Sequence, residues 1–309
     1  MATDNQPTPT PAASEPGHDA VLVGVDGTEK DLPVVTWAAH EAALRSVPLR
    51  VVTVVDAALT AMPSGDIVAA GPAVLEALEA DAMLALDKAE DTARAAEDSV
   101  VIERGVLHGS PTAALLEAAQ SAALLVTGGG RKTTLQKILL GTTSLNVAMH
   151  APCPAVLIAH DTPPTPTRNE VVVGVDGSEH SSVALDLAFA EAALRGAPVH
   201  VATSWGVEVV DGVVVTTPGS SGWEAVEGKY RAKVEAFIAT HREQNPDVPV
   251  TITVRPGQPA NLLTELGDGA ALLVIGSRGR GGFRGALLGS VGHRVLQTAT
   301  CPVAVVRKH

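Results

Sequence analysis

The chain has 309 residues, about twice the commonest length of a single domain, so its length predicts two domains. Hydrophobic residues make up 46% of it but aromatic residues only 2%, which indicates cores of Ala, Val and Leu, as in parallel sheets covered by helices. With 34 acidic against 22 basic residues, the surface as a whole should repel nucleic acid and anionic membranes.

Residues 1–19 contain neither a basic segment nor an apolar one of the kind that marks a secretory signal. Their composition of Pro, Thr, Ala and acidic residues predicts a disordered tail. No apolar run in the chain reaches the roughly 18 to 20 residues that a membrane helix needs. We therefore expect a cytoplasmic protein that does not associate with membranes.

The two halves of the sequence are similar to each other. "VLVGVDGTE" from Val21 recurs as "VVVGVDGSE" from Val171, 150 residues later, and Gly128 and Gly141 recur 148 residues later as Gly276 and Gly289. A period this long indicates duplicated domains. We divide the chain into a tail (1–19), a first domain (20–160), a proline-rich linker "DTPPTPTRN" (161–169) and a second domain (170–309).

Short apolar runs alternate with helical patterns in each copy. In the second copy, strands are predicted at 170–175, 198–205, 248–254, 270–275 and 301–307, with helices at 179–195, 223–243, 258–268 and 289–299 between them. This alternation predicts an α/β fold of two tandem flavodoxin/Rossmann-like domains. Each would have a five-stranded parallel sheet of order 3-2-1-4-5 with helices on both faces. Ligands of such sheets bind at the carboxyl ends of strands one and four.

The loop after the fourth strand of the second copy has the composition of an anion site. It reads "GSRGRGGFRGALLGS" from Gly276 to Ser290. Glycines let backbone N–H groups approach a ligand, the start of the following helix favours negative charge, and Arg278, Arg280 and Arg284 add positive charge. The pattern predicts a phosphate cradle, with a plain flexible connector as the alternative.

Two familiar nucleotide motifs do not fit. A P-loop would need glycine at positions 126 and 131, where this chain has Val126 and Arg131. "GRGGFRG", from Gly279, loosely matches a dinucleotide fingerprint, but it follows the fourth strand and not the first. Nicotinamide binding is therefore not expected.

Gly276, Gly279, Gly289 and Ser290 form a pattern that resembles the G-x2-G-x9-G-[ST] nucleotide motif of the universal stress protein family. "VGVDGS" after the first strand resembles the other signature of that family. The resemblance covers both halves of the chain, in the tandem form of the family.

The resemblance implies an ATP-binding domain used in signalling or stress survival. Asp176 would lie beside the adenosine moiety and Ser204 would line the base pocket through its backbone. The ribose and phosphates would contact two further groups, at the glycine loop and at the helix start: Gly276, Ser277, Arg278 and Gly279, and then Gly289, Ser290 and Val291. Mg²⁺ would accompany the nucleotide without a ligand from the protein. The alternative for Asp176 is an ordinary turn residue before Gly177.

The first copy departs from the pattern, because Arg131 stands where the motif has its second glycine. A side chain there adds a Cβ where the backbone needs close approach or a positive φ. The matching site residues are Asp26, Val54, Gly128, Gly141 and Thr142. We expect the second domain to bind ATP well and the first weakly or not at all.

Nothing in the sequence assembles a catalytic or metal site. The ten histidines have no metal-ligand spacing, and no G-x-S-x-G elbow supplies a nucleophile. His293, one turn into the last helix, could approach phosphate, although a solvated helix histidine is the simpler interpretation. Cys153 and Cys301 are expected to be small buried residues at strand starts.

Three functions are therefore compared: a nucleotide-dependent binding module, a slow ATPase or autophosphorylating phosphotransferase, and a nucleotide-free scaffold. The intact motif of the second copy favours the first. The segments after each second strand are candidate lids or surfaces for an unknown protein partner. The last strands are sheet edges, which invite pairing, and the resemblance implies that the two halves associate through them as a pseudo-dimer within the chain; a further homodimer is open.

Overall fold

The structure is a computed structural model. It describes residues 20–56, 71–129, 131–132, 138–139, 141–206, 209–210, 213–214, 221–279 and 288–308. The predicted tail, Arg280, Arg284 and most of the two candidate lid segments lie outside the described residues.

The first copy alternates strands and helices as predicted. Its elements in chain order are β1 (Ala20–Val25), α1 (Asp31–Arg45), β2 (Leu49–Val55), α2 (Pro72–Ala96), β3 (Ile102–His108), α3 (Pro111–Ala118), β4 (Ala122–Gly129), β5 (Arg131–Lys132), β6 (Ile138–Leu139), α4 (Thr142–His150) and β7 (Ala155–Ala159). A 3-10 turn (Ala119–Ser121) follows α3. The short antiparallel pair β5–β6, in the loop that diverges from the motif, is not predicted by the sequence.

The second copy repeats the order. Its elements are β8 (Arg168–Gly174), α5 (Glu179–Arg195), β9 (Val199–Trp205), β10 (Val209–Val210), β11 (Val213–Val214), α6 (Ser221–Gln244), β12 (Val250–Pro256), α7 (Pro259–Gly267), β13 (Ala270–Gly276), α8 (Ser290–Thr298) and β14 (Val303–Val306). β8 begins inside the segment interpreted as linker. There the Arg168 side chain donates a hydrogen bond to the Asp268 carbonyl, 2.8 Å away, and its backbone N–H donates to Gly269 O.

The main strands form one ten-stranded sheet in the order β12-β9-β8-β13-β14-β7-β4-β1-β2-β3. Each half has the predicted order 3-2-1-4-5, and its strands pair in parallel. The last strands pair with each other, as expected for a pseudo-dimer within the chain, and this pairing merges the two five-stranded sheets into one. β14 runs antiparallel to β7, with Ala304 opposite Val156, so the two edges are joined within the chain.

Helices cover the sheet in two layers. One layer packs α1, α2, α5 and α6 on side chains such as Val23, Val126, Val173 and Val274. The other packs α3, α4, α7 and α8 on the opposite face. Buried Ala, Val and Leu fill both layers, as the low aromatic content predicts. Parallel strands buried on both faces are therefore nearly continuous in apolar residues.

Helix α5 follows the rules for helix ends. The Ser178 side chain accepts a hydrogen bond from the Ser181 N–H at 3.2 Å, and Gly196 ends the helix with φ +56°. Helix α1 has no such side-chain cap, although Ser46 ends it in the same left-handed conformation.

A buried ionic cluster joins α1 to α5. Glu41 and Arg45 on α1 occupy the same positions in their copy as Glu191 and Arg195 on α5. Each arginine contacts both carboxylates: Arg45 Nε donates to Glu41 at 2.7 Å, and three further contacts complete the ring. Both glutamates are 1% exposed. Burial, and then the neighbouring Glu41, raise the pKa of Glu191.

Two further predictions concern the two cysteines and membrane-spanning helices. Cys301 is buried and its pKa is raised to about 12 by desolvation, whereas Cys153 is half-buried; both are free thiols. Among the helices that the structure describes, none is long and apolar enough to cross a membrane.

Candidate functional site

A cavity of about 530 Å³ lies at the carboxyl ends of β8 and β13, where the strand order of the second copy reverses. Its volume is within the range of small-molecule sites. Eight of the nine residues predicted for this site line it: Asp176, Ser204, Gly276, Arg278, Gly279, Gly289, Ser290 and Val291.

Ser277 is the exception. It is 1% exposed, and it does not line the cavity. Its N–H donates to Val306 O at 2.8 Å, its carbonyl accepts from Gly289 N at 2.8 Å, and its hydroxyl lies 3.4 Å from His180 Nδ1. Ser277 thus ties the glycine loop to β14 and α8. Desolvation first, and then Arg278, lower the pKa of His180.

Two glycines are needed by the geometry of the loop. A Cβ at Gly279 would lie 2.5 Å from Asp176 Oδ2, and a Cβ at Gly276 would lie 2.8 Å from the His180 carbonyl oxygen. Cβ atoms do not tolerate such distances, so at Gly276 the backbone would have to move, and at Gly279 either the Asp176 side chain or the loop would have to shift. Glycine therefore lets the two loops close over the same end of the cavity.

Helix α8 starts at the cavity wall. Its N-cap, Gly289, makes no side-chain cap, and Ser290, Val291 and Gly292 of its first turn line the cavity. The first N–H groups of a helix have no partner within the helix, and the helix dipole adds positive potential there. With Arg278 at the same wall, this end of the cavity favours an anion.

Asp176 is both a turn residue and a wall residue. Its Oδ1 accepts from Ser178 N at 2.9 Å, and Gly177 has φ +76°, as the turn alternative predicts. The same residue lines the cavity beside Gly279. Ser204 also lines the cavity, and its Oγ is buried with no hydrogen-bond partner among the described residues. His293 is exposed and lies 2.9 Å from the Gln297 side chain, away from the cavity walls.

The first copy has a larger cavity, of about 840 Å³, at the equivalent place. All five predicted residues line it: Asp26, Val54, Gly128, Gly141 and Thr142. Here the glycines are less constrained, because a Cβ at Gly128 or Gly141 would meet only ordinary contacts, at 3.6 Å and 3.7 Å. The backbone of Arg131, at the position of Gly279, belongs instead to the β5–β6 pair.

Sequence reasoning missed several wall residues. Ser181, Leu262 and Leu263 line the second cavity, and Asp31 and Thr127 line the first. Asp31 could have been found from the repeat, since it precedes Ser181 by 150 residues. The leucines of α7 follow from topology, because α7 begins beside the carboxyl edge of the sheet.

Within the described part of the chain, no group of three His, Cys, Asp or Glu could hold a metal ion. Fold and cavities together define a tandem α/β protein with one candidate ligand site at the switch point of each copy.

Comparison with known proteins identifies the group to which this architecture belongs. The model of the universal stress protein family matches residues 18–159 and again 167–307. A universal stress protein of Mycolicibacterium smegmatis is 36% identical over 296 residues, covering 93% of this chain and 96% of that protein. One of Mycobacterium tuberculosis is 34% identical over 298 residues, covering 93% and 96%. The chain belongs to the universal stress protein family, in its tandem form.

The solved structures agree in fold. A universal stress protein from Archaeoglobus fulgidus superposes with a TM-score of 0.66 at 19% identity, covering 94% of this chain and 99% of that one. At that identity the likeness concerns the fold alone. The domain boundaries predicted from the sequence, at 160 and 170, remain predictions.

Proposed function

We propose that the protein is an ATP-binding stress-response module whose second copy holds the nucleotide. One observation carries the proposal: the second cavity is walled by Asp176, by a loop whose Gly279 lies too close to the Asp176 carboxylate for a Cβ, and by the start of α8. Phosphate would face the N–H groups of the first turn of α8 and Arg278. The nucleoside would lie toward Ser204 and the leucines of α7.

The residues present fit a nucleotide. The Ser204 hydroxyl, which has no partner among the described residues, would gain one from a polar base edge. The space above Asp176 is kept free of any Cβ. When bound, Mg²⁺ would supply charge neutralisation of the phosphates. This chain binds and orients the ligand.

The first copy is proposed to bind ATP weakly or not at all. Arg131 replaces the glycine that clears Asp176 in the second copy, and the loop pairs with itself as β5–β6. ATP occupancy of the second copy would then bias the segments after β2 and β9, which a protein partner reads. The cytoplasmic location, the absence of nucleic-acid and membrane partners, and a further homodimer stay predictions.

The test is a calorimetric titration of Asp176→Ala with Mg-ATP, beside its counterpart Asp26→Ala in the first copy. We expect Asp176→Ala to lose at least about tenfold in affinity, because it removes a wall residue of the occupied cavity. Asp26→Ala should leave the affinity unchanged. Full-affinity binding by Asp176→Ala would refute the proposal.

The second candidate function is a slow ATPase or phosphotransferase at the same site. Steady turnover of ATP by the wild type, lost in Asp176→Ala, would favour it. We propose a binding module and not an enzyme, because the described walls of the second cavity contain no histidine or cysteine, and their one carboxylate, Asp176, already accepts a hydrogen bond in the turn before Ser178.

A further inference from the structure

The two cavities differ in charge at one matched position. Asp31, the first residue of α1, lines the first cavity, and its counterpart Ser181 on α5 lines the second. Asp31 Oδ2 accepts hydrogen bonds from Asp26 N at 3.0 Å and from Gly27 N at 2.7 Å. These bonds fix the Asp31 carboxylate at the cavity wall, against the loop that carries Asp26.

The other charged residues of the described walls also make the first cavity the more acidic of the two. Among the described wall residues, the first cavity has four carboxylates against the cation Lys30: Asp26, Asp31, Asp56 and Asp81. The described walls of the second cavity have one carboxylate, Asp176, and one cation, Arg278. Beside Asp26 and Asp31 a triphosphate would therefore meet like charge, whereas a cationic group would meet opposite charge.

A separate observation points to a ligand in the first cavity. Thr127 at the end of β4 lines the cavity and is 5% exposed, and its Oγ1 has no hydrogen-bond partner among the described residues. The matching residue in the second copy is Ile275, which needs none. A buried hydroxyl without a partner is rare, because its desolvation is not compensated. A polar ligand atom in the cavity would supply that partner.

We propose that the first cavity binds a nucleoside-type ligand that carries a cationic group, such as an ammonium, in place of phosphate. Asp31 and Asp26 hold the cationic group, and Thr127 hydrogen-bonds the ligand deeper in the cavity. The nucleoside part of the proposal rests on the proposed function of the second copy, whose cavity has the same position in the fold. The two copies of the domain then bind two ligands of opposite charge.

The titration of Asp31 agrees with this assignment. Burial first, and then repulsion by Asp26, raise the pKa of Asp31 to about 6. A bound cation would offset the repulsion by Asp26 and the lost hydration of the Asp31 carboxylate. The affinity of the cavity for a cationic ligand should therefore rise between pH 5 and pH 7, as Asp31 loses its proton. Asp26 and Lys88 act on the charge of Asp31, and the other charged or titratable residues that line the described walls of the cavity are Lys30, Asp56, Asp81 and His160.

The experiment uses three probes that differ only at the 5′ position: AMP, adenosine and 5′-amino-5′-deoxyadenosine. Calorimetric titrations are made on the full chain carrying Gly279→Val, which obstructs the second cavity. We expect the amino compound to bind at least about tenfold more tightly than AMP. Adding Asp31→Asn, which keeps the shape of the side chain, should reduce that preference at least about fivefold.

Two further variants keep the result independent of folding defects. Asp31→Ser copies the second cavity into the first and should also reduce the preference for the amino compound over AMP. Thr127→Ile, also taken from the second copy, should weaken all three probes and leave the preference unchanged. Each variant is accepted only if its thermal melt matches that of the Gly279→Val parent in cooperativity.

Equal binding of AMP and the amino compound, no binding of the amino compound, or an unchanged preference in Asp31→Asn would overturn the proposal. Failure of the proposed function is read separately, from AMP and ATP titrations of the wild type and of Ser181→Asp. If the wild type binds neither AMP nor ATP, the function proposed for the second cavity is refuted, whatever the first cavity binds.

Discussion

Single glycines decide how closely the loop after β13 approaches the loop after β8. Gly279 is the sharpest case, since a Cβ would lie 2.5 Å from Asp176 Oδ2. We predict that Gly279→Ala lowers the ATP affinity at least about fivefold, because overpacking of this kind costs roughly 1–3 kcal/mol and displaces the loop. Calorimetric titration with Mg-ATP measures the change.

Gly228→Ala is the matched control. Gly228 lies within α6, and a Cβ added there meets nothing within 4 Å. Alanine has the higher helix propensity, so this variant should keep full ATP affinity and equal or greater stability. Undiminished ATP binding by Gly279→Ala would show that the loop does not need to close over Asp176.

Asp31 makes the folding stability of the first copy depend on pH. Its pKa in the folded protein is raised from 3.8 to about 6, so the folded state holds the proton more tightly than the unfolded state. The resulting stabilisation is complete below about pH 4 and is lost as the pH rises through 6. Asp31→Asn has no such dependence, so its melting temperature relative to wild type should rise between pH 4.5 and pH 7.5.

Thermal melts across that range test the prediction, with Asp91→Asn on the exposed face of α2 as the control for the general effect of removing a charge. A relative melting temperature of Asp31→Asn that stays flat, or falls, as the pH rises would mean that Asp31 is not desolvated in the folded protein.

At the scale of elements, α1 and α5 are joined by buried charges. Removing one arginine leaves the two glutamates, each 1% exposed, short of a counter-charge. We predict that Arg195→Ala lowers the free energy of unfolding by about 3 kcal/mol, since breaking a buried ion pair from one side typically costs about 3–5 kcal/mol and Arg45 still contacts both glutamates. Urea unfolding measures the loss.

The control is Arg94→Ala on α2. Arg94 pairs with Glu90 at 2.7 Å, and its side chain is 55% exposed. Exposed pairs contribute at most about 1 kcal/mol. If Arg195→Ala were no more destabilising than Arg94→Ala, the cluster would not be holding α1 against α5.

Some elements were predictable because their signals are local. Helix α5 was predicted at residues 179–195 and observed at Glu179–Arg195, since Ser178 caps one end and Gly196 terminates the other. The alternation of elements, with the preference for right-handed crossovers, also predicts the strand order. The early start of β8 was not predictable, because it depends on contacts between Arg168 and a turn about 100 residues away.

Within the sites, the glycine pattern indicated most walls of the second cavity. The side chain of Ser277 could not be placed from the sequence, because its direction is set by Val306 and His180. Asp31 and Thr127 were missed because they belong to no motif; the repeat aligns Asp31 with Ser181 and Thr127 with Ile275, but the cavities show that these positions line the walls.

At the scale of the whole molecule, duplication has produced one continuous sheet with two unequal cavities. The antiparallel pair β7–β14 joins the copies, so neither copy leaves that edge free within the described residues. The second cavity combines Arg278 with a helix start, whereas the described walls of the first are dominated by carboxylates. We therefore predict one ATP for each chain and not two.

The most direct measurement is to denature the purified protein and to identify and count the nucleotide that it releases, by chromatography and mass spectrometry. We predict about one ATP per chain after loading with Mg-ATP, and almost none in Asp176→Ala. About two ATP per chain would contradict the inequality of the copies, and no nucleotide, followed by no binding on titration with Mg-ATP, would contradict the proposed function itself.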